Sequence, residues 1–162
     1  MDDKIKKISL FNSPLESGLR TLFILAKVHP KSIDTQRLIY YNYLALHTGD
    51  FSEEVESLHP PIPNRSCQIV IQREVLQEGL YLLQAKELIV IKYNKTGINF
   101  LAHKNAKNLI EYFQSEYSRD LIDRIDFVIE RFNDMTDKKL DFFIKSNLTK
   151  WGSEFLEEVH SL

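Results

Sequence analysis

The chain is nearly without cysteine: Cys67 stands alone among 162 residues. That excludes an internal disulfide framework and any zinc site built from several thiolates. Long apolar runs are also missing, and none approaches the roughly 20 residues that a membrane-spanning helix requires. The opening Met1-Asp2-Asp3-Lys4 is charged and is not followed by an apolar core, so no secretory leader is expected. Together these absences point to the reducing cytoplasm. Five glycines and five prolines are too few for a collagenous, low-complexity or loop-dominated chain. No charge of one sign prevails either, since the formal net charge is −2.

What is present is ordinary for a folded domain. Hydrophobic residues make up 43% and charged residues 27%, near the average of globular chains, and the length suits one domain or one domain with an appended piece. The charge is unevenly placed. Residues 1–104 carry 13 basic and 11 acidic side chains, whereas residues 105–162 carry 8 and 12. Neither part has the strongly basic balance of a domain that gains its affinity by neutralising phosphates.

The first helix is expected from Ser13-Pro14-Leu15-Glu16, where a serine cap, a proline at the first position and a glutamate three residues after the serine form a capping box. Leu15, Leu19, Leu22 and Ala26, with Phe23, supply its apolar stripe, and His29-Pro30 ends it. A second helix runs from Asp34 to about His47, followed by an acidic loop over 50–58. The segment His59-Pro60-Pro61-Ile62-Pro63-Asn64 is rigid and extended, because three prolines in four positions exclude helix interior. A third helix follows from about Arg65 to Lys86, with Ile69, Leu76, Leu80 and Leu83 on one stripe. Two β-branched runs, 88–93 and 98–101, flank a short turn containing Asn94 and Gly97 and read as a β-hairpin. Helices are then expected over about 105–116, 119–133 and from Thr136-Asp137 to the end. The last carries Leu140, Ile144, Leu148, Trp151, Phe155 and Val159.

The predicted class is α+β, mainly helical. Three helices followed by a hairpin is the order of a winged-helix-like core (residues 1–104), and residues 105–162 form a helical extension packed on it.

No catalytic signature is found: neither a phosphate loop, nor a nucleophile elbow, nor a zinc-binding His-Glu-x-x-His helix. We therefore expect no catalytic residue, no metal and no cofactor. A metal site from His47, His59 and Cys67 is conceivable, against the plain reading that histidines favour helix ends and loops. Cys67 reads as a small residue packed at a helix start. Asp120, Asp123 and Asp126, interleaved with Arg124 and Arg131, read as a solvated, ion-paired helix face rather than a pair of catalytic carboxylates. On the third helix, Arg65, Gln68, Gln72, Arg73 and Gln77 have the chemistry to bond base edges, but Glu74 and Glu78 oppose an approach to DNA. Lys92, Lys95 and Lys104 of the wing suit contact with phosphate. The proline segment has two readings of equal weight: a pre-organised loop that presents Pro60 and Arg65 to a partner chain, or a stiff connector that sets the angle of the third helix. The aromatic content of the last helix (Phe142, Phe143, Trp151 and Phe155) exceeds what one apolar stripe needs; such residues are commonly core, but Trp and Phe off the stripe are what a partner interface uses.

Several ordered motifs carry a resemblance. They are Leu10-Phe11-Asn12-Ser13-Pro14-Leu15-Glu16-Ser17-Gly18-Leu19-Arg20, Asp34-Thr35-Gln36-Arg37-Leu38, His47-Thr48-Gly49-Asp50, Leu58-His59-Pro60-Pro61 with Asn64-Arg65-Ser66, and Arg73-Glu74-Val75-Leu76-Gln77-Glu78-Gly79-Leu80. Over roughly residues 10–100 the chain resembles the middle component of bacterial ABC-three-component conflict systems, a class that includes Lamassu-type anti-phage defence. The resemblance implies a small non-enzymatic subunit in a hetero-oligomer. It would bridge an SMC-like ABC ATPase that senses DNA and an effector, often a nuclease, with DNA met only weakly or indirectly. On this view His59, Pro60, Arg65, Ser66, Arg73 and Glu74 are candidates for partner contact. The alternative is a free-standing winged-helix transcription regulator, dimeric through its C-terminal helices.

Overall fold

The computed structural model of the chain describes residues 13–62 and 64–160, and gives only the backbone from 152 to 160. In chain order the elements are α1 (Pro14–Val28), β1 (Ile33–Asp34), α2 (Thr35–Leu46), a 3-10 turn (Thr48–Asp50), α3 (Arg65–Ala85), β2 (Ile89–Asn94), β3 (Gly97–Ala102), α4 (Asn105–Ile110), α5 (Glu116–Phe132) and α6 (Asp137–His160). The fold is mainly helical α+β. The Leu10–Asn12 part of the opening motif and the side chains of Phe155 and Val159 lie outside what is described.

Local chemistry sets most of the boundaries. The Glu16 N–H donates to Ser13 Oγ at 3.2 Å, which satisfies one orphan donor at the start of α1, and Asp34 Oδ1 accepts from the Arg37 N–H at 2.8 Å at the start of α2. Asn64 does the same for Cys67 at the start of α3. The helix expected over 105–116 is shorter, ending at Ile110. Ser115 competes for the chain there: it accepts from the Ser118 N–H at 3.1 Å and starts α5 three residues before the expected point.

Burial departs from single stripes in the first two helices. Leu15, assigned to the α1 stripe, is 60% exposed, while Leu22, Phe23, Ile24, Leu25 and Val28 are all buried. Every residue of α2 from Arg37 to Leu46 is buried. A helix covered on all sides is a central element, and α2 is enclosed by α1, α3, α5, α6 and the sheet. Its polar groups find partners at this depth. Arg37 Nε donates to Asp137 Oδ1 at 2.7 Å and its Nη1 donates to Tyr41 Oη at 2.9 Å, while the Tyr40 hydroxyl donates to Asp141. These bonds fasten the first turns of α6 onto α2. Leu121, Ile125, Val128 and Phe132 of α5, with Leu140 and Ile144 of α6, join the same buried cluster as α1 and α2.

The sheet has the order β1-β3-β2 and is antiparallel throughout. In the hairpin Ile89 faces Ala102 and Asn94 faces Gly97, so the loop is the two residues Lys95 and Thr96. Gly97 adopts φ +132°, a conformation that side chains disfavour, and Asn94 Oδ1 holds the turn by accepting from the Thr96 N–H at 3.0 Å. Strand β1 pairs Ile33 with Phe100 and is a feature that the sequence reading lacked.

Candidate partner-binding surface

The segment between α2 and α3 is held from below by one arginine. Arg65, the first residue of α3, donates from Nη2 to Asp50 Oδ1 at 2.8 Å and from Nε to Asp50 Oδ2 at 3.0 Å and Tyr43 Oη at 3.1 Å, with a further bond from Nη1 to the Ile62 carbonyl. The side chains of Arg65 and Asp50 are 2% and 9% exposed. Hydrogen bonding to Asp50 raises the Arg65 pKa further, and burial pushes the Tyr43 phenol well above its ordinary value. Arg65 was expected among the partner contacts. Its guanidinium is instead turned inward, where it fixes Asp50 and the proline segment.

The acidic loop doubles back on the end of α2. Leu58 and His59 both donate their N–H groups to the Leu46 carbonyl at 3.0 Å, Thr48 Oγ1 donates to the Glu56 carbonyl at 2.8 Å, and the Gly49 N–H donates to Ser57 Oγ at 2.9 Å. His47 is buried beneath this loop with Nδ1 lacking a partner among the described residues, and burial depresses its pKa to about 4. His59 is half-buried, and its Nε2 lies 2.8 Å from Tyr117 Oη. The two imidazole rings are 6.5 Å apart, but Cys67 is exposed, and among the described residues no group of three His, Cys, Asp or Glu is disposed to hold a metal.

With its anchor buried, the segment offers Pro60 and Pro61 to solvent, next to Ser66 on the first turn of α3. Farther along α3, Arg73 and Glu74 are exposed, and Arg73 donates from Nη2 to Gln36 on α2. Gln72, named among the base-reading side chains, is buried with Oε1 unpartnered among the described residues. The outward face of α3 is instead apolar and acidic. Val70 is 70% exposed and Ile71 57%, with Tyr81 and Leu82 also exposed, and Glu74 and Glu78 lie on the same side. The 3.6-residue period places these six within one face, opposite Leu76, Leu80 and Leu83. The sequence carried this signal as apolar residues off the core stripe.

The remaining candidates are dispersed. Lys92 and Lys95 are exposed on the hairpin beside Tyr93, and Lys104 is exposed at the rim of a cavity of about 590 Å³ floored by Phe23, Ala102 and Ile122. Trp151 is 8% exposed: it stacks on Tyr43 at 6.0 Å and 21° and meets Phe143 edge-on at 6.0 Å. Its position is that of an internal seam, not of a surface contact. On α5, Asp126 pairs with Lys27 at 3.0 Å, whereas Arg124 donates to the carbonyls of Asp120 and Glu56 rather than to neighbouring carboxylates.

The class is a mainly helical α+β body, with the guanidinium groups of Arg37 and Arg65 turned inward and apolar side chains exposed along α3. The chain belongs to the family described as ABC-three component (ABC-3C) system Middle Component 2, whose model matches residues 10–154. It is thus a middle component of a multi-component system. No curated protein and no solved structure gives a significant match. No helix among the described residues is long and apolar enough to cross a membrane.

Proposed function

We propose that this chain is the non-catalytic accessory subunit of a cytoplasmic, Lamassu-type anti-phage complex, joining an SMC-like ABC ATPase to its effector. The observation that carries this reading is the outward face of α3. We read the order α1-β1-α2-α3-β2-β3 as that of a winged helix, with the hairpin as wing and the helices after it as an appended extension, and on this reading α3 takes the place of the DNA-reading helix. A helix that enters the major groove presents cations and amides to phosphates and base edges. Here the same face presents Val70, Ile71, Tyr81 and Leu82 with Glu74 and Glu78. Carboxylates repel phosphate, and clustered exposed apolar side chains favour a protein partner. The ATPase is the partner assigned to this face, with Pro60, Pro61 and Ser66 at one end of it. The wing lysines are left for weak DNA contact within the assembly.

The test is purification of the tagged chain, expressed with its neighbouring genes. A large coiled-coil ATPase should copurify at fixed stoichiometry, and the double variant Val70→Glu, Ile71→Lys should lose it while keeping the thermal transition of the parent. A chain that purifies alone and shifts its own promoter DNA sinks the proposal and establishes a transcription regulator.

A further inference from the structure

Arg20 lies near the middle of α1 and is 4% exposed. A guanidinium at that depth is costly unless an anion or several acceptors compensate it. Arg20 has little of either. Among the described residues its one hydrogen bond runs from Nε to Asn42 Oδ1, a neutral acceptor, at 3.3 Å, and no carboxylate comes within 4 Å of it. Its two Nη groups carry four of its five N–H donors, bond no other described residue, and are open to solvent at the wall of a cavity of about 370 Å³ between α1 and α5. Burial lowers the Arg20 pKa, against the opposing pull of Tyr117 and Glu16. The other walls are mainly apolar, from Leu19, Phe23, Phe113 and Leu121, with Tyr117 and His59 closing one side through their 2.8 Å bond. Glu16 stands at the same cavity and raises the Arg20 pKa through its charge without touching it.

We propose that this cavity is a binding site for a carboxylate carried on an apolar body. The planar fork of arginine matches one carboxylate bidentately. The single buried positive charge, with Glu16 beside it, suits a monoanion and disfavours a phosphate dianion. The volume holds roughly one aromatic ring with its short acid arm, at the small end of the range for ligand sites. Free small acids and the C-terminal carboxylate of an apolar peptide share this chemistry. The site lies between α1 and α5, away from the apolar face of α3, and meets the proposed ATPase contact only where His59 adjoins Pro60.

The experiment is a titration of the full chain with 3-phenylpropanoate and with its neutral amide, followed by calorimetry and by amide chemical shifts. The acid binds with shifts at Phe113, Tyr117 and Leu121, and the amide binds at least about tenfold more weakly, the equivalent of about 1.4 kcal/mol. Arg20→Met removes the preference for acid over amide. Glu16→Gln, at a half-exposed position, tightens acid binding roughly threefold at low salt by removing a like charge. Should Arg20→Met fail to fold, Leu19→Trp serves in its place: it fills the cavity from a half-exposed position and abolishes binding. A peptide ending in phenylalanine, compared with its amidated form, separates the two sources. Tighter binding than the free acid assigns a partner's chain end, and weaker binding assigns a small molecule. No shift at the three residues up to about 10 mM acid, or equal affinity for acid and amide, overturns the site.

Discussion

Gly18 of α1 and Gly79 of α3 meet backbone to backbone. A Cβ placed on Gly79 would lie 2.7 Å from the Pro14 carbonyl oxygen and 2.9 Å from the Gly18 nitrogen, whereas one on Gly18 would lie 3.2 Å from the Gly79 carbonyl oxygen. The two helices therefore cross at a distance that admits no side chain on the α3 side. Alanine gains about 1 kcal/mol over glycine in a helix, but overpacking against backbone costs about 1–3 kcal/mol or more. Gly79→Ala is expected to lower unfolding free energy by about 2 kcal/mol in urea titrations, and Gly18→Ala to stay within about 1 kcal/mol of the parent. Equal effects at the two positions would contradict this crossing.

The Arg65–Asp50 pair sets a second expectation. Breaking a buried pair leaves an uncompensated charge and costs about 3–5 kcal/mol, whereas a half-exposed pair contributes less than about 1 kcal/mol. Arg65→Ala should unfold the chain at distinctly lower urea concentration, and Asp126→Asn, which breaks the exposed bond to Lys27, should hardly move the midpoint.

His47 makes stability depend on pH in a defined direction. Its folded pKa of about 4 lies below the ordinary imidazole value of 6.5, because burial, with His59, Arg65 and Arg20, outweighs the opposing pull of Asp50. The unfolded chain therefore binds more protons between those values, and stability falls with them. The contribution is fully present above about pH 6.5 and is lost as the pH drops toward 4, on the order of 2–3 kcal/mol in all. His59 is shifted the same way, also by burial. His47→Gln should flatten unfolding free energy across this window, as measured by urea titrations from pH 7 to 4. An unchanged slope would place the acid-sensitive group elsewhere.

DNA affinity of the isolated chain should be low. Lys92, Lys95 and Lys104 allow at most three phosphate contacts, so the logarithm of the binding constant should fall against that of salt with a slope no steeper than about −3. Electrophoretic shifts at several salt concentrations read this slope directly. A steeper one would reveal a basic surface that these lysines do not make.

Much of the fold was legible where the information is local. Ser13, Asp34 and Asn64 each accept the N–H that a helix cap requires, and Asn94 and Gly97 close the hairpin. What escaped depends on residues distant in sequence. Two-residue β1 has no periodicity of its own and exists because Ile33 finds Phe100. Arg65 looked like a surface residue because Asp50, its partner, lies 15 positions away, and Arg37 meets Asp137 across 100. Of the candidate site, Pro60, Ser66, Arg73 and Glu74 are exposed, whereas Arg65, Gln72 and Trp151 are turned inward, which no local pattern announced. Arg20 gave no signal at all, since an unpaired charge in a helix is recognised only once its neighbours are known.

Trp151 is the chain's single tryptophan, and it rests on the ring of Tyr43, the same tyrosine whose hydroxyl meets Asp50 and Arg65. The molecule thus carries a native optical reporter at the place where its last helix joins its centre. Emission from that indole should be blue while α6 lies against α2 and should move red if the helix lifts, so the seating of α6 during assembly can be followed in real time without attaching any dye.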